Sequence, residues 1–246
     1  ISIIAILFSI AIASFIFESF YNLNNLQTIT TKEELLTAIL PLTYYILPVA
    51  FLEMLASLLF LRRINTSYIK NDDLHLDKKE LFQGKLLAKN IKIISSNDVI
   101  FLAVIGLSVF WGISQATMAV FPSFAKMYLN ITDVFMINGV IGASGIGIAI
   151  GAVLYSRISR HYIEVGTIPL ASFGMALTLY LSTIVQSPLL LGISFLLFGV
   201  FGGMFVVPLN ALIQFNAKKR VLGTILAGNN WFHSLSMFLM LSMTTV

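Results

Sequence analysis

The sequence predicts an all-α integral membrane protein, and three observations carry that prediction. Hydrophobic residues make up 58% of the 246 residues and charged residues only 11%. A soluble domain carries roughly a quarter charged residues to wet its surface. The mean hydropathy is +0.92, far to the apolar side. The apolar residues also run in seven continuous stretches, at 1–20, 36–61, 98–121, 133–156, 162–184, 188–214 and 222–246. Each is long enough to cross about 30 Å of hydrocarbon, which takes roughly 20 helical residues. A bilayer offers no partner to unpaired backbone groups, so a span must be a helix or part of a closed barrel. Barrel strands alternate in polarity, and these stretches do not.

The first stretch begins at Ile1 without a basic leader, and the last is still apolar at Val246, so both ends read as cut within helices. Its one acid, Glu18, falls near the end of the span, within reach of water. The second stretch holds Pro41, Pro48 and the deeply placed Glu53. A carboxylate at that depth is costly and faces a cavity or a partner, which makes Glu53 a candidate for proton coupling. Between the second and third stretches lies the longest polar segment, 62–97. Asp77 and Glu80 are spaced as a helix start, and Leu81, Phe82, Leu86, Leu87, Ile91 and Ile94 recur among lysines. This is the pattern of a basic amphipathic helix on a membrane surface.

The third stretch contains Gln115 and Thr117 and ends at Pro122. The fourth is rich in small residues: Gly139, Gly142, Gly145, Gly147 and Gly151, with Ala143 and Ser144. Small residues one turn apart let membrane helices approach closely, and the sixth stretch repeats them at Gly199, Gly202 and Gly203. The sixth also carries Pro208, with Asn210 and Gln214 one turn apart on one face. In the seventh, Asn229, Asn230 and His233 gather within five residues, and His233 is a second candidate for proton coupling. Amides in such helices either bond between helices or bind a polar headgroup.

Charge fixes an orientation. Thirteen of the fifteen Lys and Arg residues fall in the loops after the second, fourth and sixth stretches; only Lys32 and Lys126 fall in the others. By the positive-inside rule the three basic loops face the cytoplasm. The absence of cysteine in the sequence excludes a disulfide framework or thiolate metal site. There is no HExxH, Walker loop, GxSxG or acyltransferase-like His-x4-Asp pair, so neither catalysis nor a cofactor is expected. The basic residues are loop charges, which argues against nucleic-acid binding.

The long basic middle loop and the glycine-rich spans resemble the major facilitator superfamily. The loop from Ala152 to His161 is similar to a degraded copy of that superfamily's G-x-L-x-D-R-x-G-R signature. Arg157 and Arg160 match, while Ser156 and Ser159 stand where an acid and a glycine belong. Phe205 to Gln214 resembles the VVPLNALLQ segment of bacterial lysophospholipid transporters, and Phe110-Trp111-Gly112 resembles their FWG. Gln115, Pro122 to Phe124, Lys126, Gly145 to Gly147, Ile163 to Gly166 and Ala227 to Asn230 are similar to transporter domains fused to an acyltransferase and an acyl-carrier-protein synthetase.

The resemblance implies part of a twelve-helix fold. Residues 1–61 would hold the last two helices of the N-terminal bundle, 62–97 the central cytoplasmic loop, and 98–246 five helices of the C-terminal bundle. It also implies a transporter in the bacterial cytoplasmic membrane that carries lysophospholipid to the inner leaflet for reacylation, with a fused or associated acyltransferase as partner. Gln115, Asn210, Gln214, Asn229 and Asn230 would contact the headgroup, and Arg157 and Arg160 would belong to the conformational loop. Some relatives have an arginine in the helix where this chain reads Ala116 to Ala119, leaving Gln115 as the nearest polar group. The alternatives are an efflux transporter of small amphiphiles and a membrane anchor for a fused acyltransferase.

Overall fold

A computed structural model describes residues 85–244 except Thr132, together with helical positions at Tyr44, Leu47, Pro48, Phe51, Leu52, Met54 and Leu55. The latter belong to a separate compact unit, Ala13–Lys78. Glu53, Glu18 and nearly all of the first two predicted spans lie outside the described residues.

Six helices follow in order: α1 (Lys85–Ser95), α2 (Asp98–Tyr128), α3 (Val134–Ile158), α4 (Thr167–Ile184), α5 (Pro188–Asn216) and α6 (Leu222–Thr244). Among the described residues, α2, α3, α4 and α5 are long and apolar enough to cross a membrane. The 23-residue α6 is long enough, but Asn229, Asn230, His233 and its serines lower its apolarity. The count of seven spans therefore remains a reading of the sequence.

Helix starts follow local chemistry. Asn97 accepts from the Val99 and Ile100 amides at 3.0 and 3.2 Å, and Asp133 accepts from Phe135 and Met136 at 2.8 and 3.3 Å. Such caps satisfy donors that the first turn leaves open and contribute about 1 kcal/mol each. Two boundaries differ from expectation. The third predicted span ends before Pro122, yet α2 runs through it to Tyr128. A proline inside a helix removes one hydrogen bond, which neighbouring helices can tolerate within a membrane. The chain then turns at Asn130, whose φ of 53° suits an asparagine, and the Ile131 amide bonds back to the Ala125 carbonyl at 3.0 Å. The fifth predicted span begins at 162, whereas α4 begins only at Thr167. Residues 159–166 are instead held as a tight connection, with the Ser159 hydroxyl donating to the Tyr162 carbonyl and the Thr167 hydroxyl donating to the Glu164 carbonyl.

Antiparallel α2 and α5 form the centre. Phe110 stacks against Phe198 with ring centres 6.4 Å apart and lies 6.2 Å from Phe205, while Phe121 and Phe195 are 4.6 Å apart. Parallel α3 and α5 share the most extensive seam, made by glycine. A Cβ on Gly147 would strike the Leu196 carbonyl, one on Gly151 the Val200 carbonyl, one on Gly199 the Ser144 carbonyl and one on Gly203 the Ile148 carbonyl. The small-residue stripes of the two helices thus meet backbone to backbone, where dispersion holds them. Gly139 and Gly142, from the same stripe in α3, face open space. Helix α4 packs on α5 through Gly174 and Phe201, and α6 runs parallel to α2.

Helix α1 lies within the polar segment read as an amphipathic helix. Ile94 is fully buried with Val104, Leu107, Ile213 and Ile225, and it presses on Gly228 of α6. The start of the expected amphipathic pattern, 77–84, lies outside the described residues.

Candidate functional site

The Phe110-Trp111-Gly112 triplet sits where α2 meets both α5 and α6. Phe110 enters the aromatic core with Phe198 and Phe205. Trp111 points toward α6, its ring centre 6.3 Å from that of His233. A Cβ on Gly112 would meet Ser236 Oγ at 2.5 Å and Met240 Cγ at 3.0 Å, so α6 can approach only because this residue is glycine. Three adjacent residues therefore fix two helix pairings.

That seam carries two unpartnered polar atoms. Asn229 is 4% exposed and its Oδ1 has no hydrogen-bond partner; one turn later the buried Nε2 of His233 also has none. A buried polar group without a partner costs about 1–3 kcal/mol. Two such groups one turn apart on α6 form a polar strip in the seam, one turn before Ser236. Asn229 Oδ1 can accept from an N–H or O–H, and an imidazole Nε2 can accept or donate according to its tautomer. Asn230, three residues before His233, is exposed, and Asn229 is buried.

The other predicted contacts are dispersed. Gln115, one turn beyond Trp111 on α2, is half-buried. Asn210 is half-buried on α5, and its Nδ2 donates to the Val206 carbonyl at 3.0 Å, two residues before buried Pro208. Gln214 is exposed. The structure brings Asn229 and His233 together on one side of α6 and keeps Asn210 and Gln214 on α5. Glu53, the other candidate for proton coupling, lies outside the described residues. Among the described residues no group of three or more His, Cys, Asp or Glu could hold a metal ion.

Arg157 and Arg160 are exposed at the end of α3. Arg160 borders a cleft of about 870 Å³ that also gathers Val99 at the start of α2 and Val207 to Asn216 at the end of α5. The two basic connections after α3 and α5 therefore lie at one end of the bundle. At the other end, Asp133 to Ala143 and Ser187 to Leu196 line a separate groove. Sequence reading passed over two buried hydroxyls, Ser114 and Tyr155, both without a partner. Only the position of Tyr155 in the last turns of a span, just before Arg157, could have drawn notice.

The sequence pattern of the Major Facilitator Superfamily matches residues 1–241. The chain is 31% identical over 154 residues, 60% of its length, to the lysophospholipid transporter LplT of Cronobacter sakazakii, covering 37% of that protein. It is 32% identical over 141 residues, 56% of its length, to the LplT of Escherichia fergusonii, covering 35% of that protein. A more distant relative, the LplT of Photorhabdus laumondii, is 24% identical over 145 residues, with 57% of this chain and 35% of that protein covered. The chain thus spans little more than a third of the length of these relatives. No solved structure matches it.

Proposed function

The chain belongs to the Major Facilitator Superfamily, and from that premise we propose that it is part of a transporter carrying lysophospholipid from the outer to the inner leaflet for reacylation. What carries the proposal is its 31% identity to a protein named for that cargo. The packing adds a physical reason: the triplet Phe110-Trp111-Gly112 is the joint between α2, α5 and α6. The headgroup meets the polar strip of α6, where Asn229 Oδ1 accepts from the headgroup and Asn230 and Gln115 flank it. Asn210, whose amide already bonds its own helix, offers its remaining oxygen. His233, beside Trp111, is the proton-responsive member, with Glu53 in the same role from the N-terminal helices. Residues 1–61 supply part of the N-terminal bundle, 62–97 the connection between bundles, and Arg157 and Arg160 the loop that reorganises as access alternates. The acyltransferase that consumes the cargo is fused to this chain or works beside it.

The test uses the whole protein in cells lacking their own lysophospholipid uptake. Spheroplasts expressing it should convert external radiolabelled lysophosphatidylethanolamine into diacyl lipid well above the empty-vector level. Conversion at the empty-vector level, with export of amphiphilic dyes instead, would point to efflux and reject this reading.

A further inference from the structure

We infer that the cleft at the basic end of the bundle is a separate binding site for the phosphate of a membrane phospholipid, lodged between the end of α3 and the end of α5. The cleft encloses about 870 Å³, which is the range of sites that hold a sizeable organic ligand. Its two sides differ in chemistry. Val99, Val207, Ala211 and Phe215 make one wall apolar, and Phe215 is 80% exposed within a span's last turn. Arg160 and His161 stand exposed at the opposite rim.

Tyr155 is the second, independent observation. It lines the cleft, it is only 3% exposed, and its hydroxyl has no hydrogen-bond partner. A buried phenol normally finds a partner, since its polar tip is costly to leave unmet. The two serine hydroxyls of the lining are already engaged: Ser156 donates to the Ala152 carbonyl at 2.8 Å and Ser159 to the Tyr162 carbonyl. Arg160 has no ion-pair or hydrogen-bond partner among the described residues.

The Arg160 guanidinium, unmatched among the described residues, and the exposed His161 imidazole at one rim, with the buried Tyr155 phenol in the wall behind them, fit an anion with several acceptor oxygens. A guanidinium fork matches phosphate geometry in particular. The apolar wall then selects the source. Inorganic phosphate would leave Val207, Ala211 and Phe215 facing water, whereas a glycerophospholipid lays its chains there and its phosphate at the rim. Lys218, Lys219 and Arg220 close the connection after α5 at the same end, and lysines near an anionic leaflet each add roughly 1 kcal/mol of attraction. The site is distinct from the cargo strip, because Asn210, Asn229 and His233 do not line it. The inference therefore stands whichever cargo the protein moves.

Native mass spectrometry of the whole protein, delipidated in an uncharged detergent, tests it. Phosphatidylglycerol, diacylglycerol and inorganic phosphate would each be titrated against the parent, Arg160→Gln, the double variant Arg160→Gln/His161→Gln, and Tyr155→Phe. One phosphatidylglycerol should be retained by the parent and bound about tenfold more weakly by Arg160→Gln, the loss expected for one charge-assisted hydrogen bond. Tyr155→Phe should weaken retention less while keeping the parent's melting temperature, since phenylalanine fills the same space. Equal retention by the parent and the double variant overturns the inference. So does diacylglycerol bound as tightly as phosphatidylglycerol, which marks an apolar groove only, or inorganic phosphate bound as tightly, which marks an ion site without lipid. Arg160 is exposed, so its single substitution leaves the fold intact and keeps the comparison valid even if the double variant aggregates.

Discussion

Asn210 and Asn229 sit in consecutive apolar helices with opposite hydrogen bonding. Asn210 donates to its own helix at the Val206 carbonyl, so its amide is partly satisfied. Asn229 is 4% exposed with its oxygen unmatched. Replacing an unmatched buried amide by an apolar group of like shape is close to neutral or stabilising. Asn229→Leu is therefore expected to hold or raise the melting temperature of the whole protein while lowering lysophospholipid uptake severalfold. Loss of stability with unchanged uptake would assign Asn229 to packing. Asn210→Ala should cost about 1 kcal/mol of stability at most, as a lost intrahelical side-chain bond, and uptake should also fall if its oxygen meets cargo. Which amide is buried was only half legible. The sequence shows Asn229, Asn230 and His233 together, but one residue of helical rotation, 100°, separates the buried amide from the exposed one. That rotation is set by how α6 lies on α2, through Gly112 and Ser236, and spacing within α6 does not encode it.

At the scale of helices, glycine does two different things in α3. Gly147 and Gly151 lie against carbonyls of α5, while a Cβ at Gly139 or Gly142 meets nothing within 4 Å. A backbone neighbour cannot swing aside as a side chain can, so overpacking at the seam is expected to exceed the usual 1–3 kcal/mol. Gly147→Leu or Gly203→Leu should abolish a monodisperse peak of the whole protein in detergent. Gly139→Ala and Gly142→Ala should elute like the parent, with melting temperature unchanged or slightly raised, because alanine favours the helix by up to about 1 kcal/mol. A parent-like Gly147→Leu protein would refute the seam. Helix number and order from 98 onward were legible because hydropathy alone produces them. The stripe in α3 was legible as close packing, yet which of its glycines serve depends on a partner 40 or more residues away. Pro122 misled for a related reason: proline reads as a stop locally, and neighbouring helices sustain α2 past it.

For the molecule as a multi-pass membrane protein, the alternation of loops is the strongest constraint. The ends of α3 and α5 and the start of α2 meet at the basic cleft, and the opposite loops meet around Asp133 and Ser187. The sequence has no cysteine, so single introduced cysteines report cleanly. Cysteine at Ser187 should label from outside intact cells with a membrane-impermeant maleimide, as should one at Asn25, while one at Asn71 should label only after permeabilisation. External labelling at Asn71 would reverse the orientation. The glycine seam also bears on how the protein is made. Helix α3 ends at Ile158, but its seam partner is complete only at Asn216, 58 residues later. At about 5–20 residues per second, synthesis leaves α3 without that partner for roughly 3–12 s. During that interval the close-packing face of α3 has lipid or the insertion machinery as its neighbour, with α4 passing between. Assembly of this bundle is thus a matter of waiting: the glycine joint of α3 cannot close until the ribosome has finished α5.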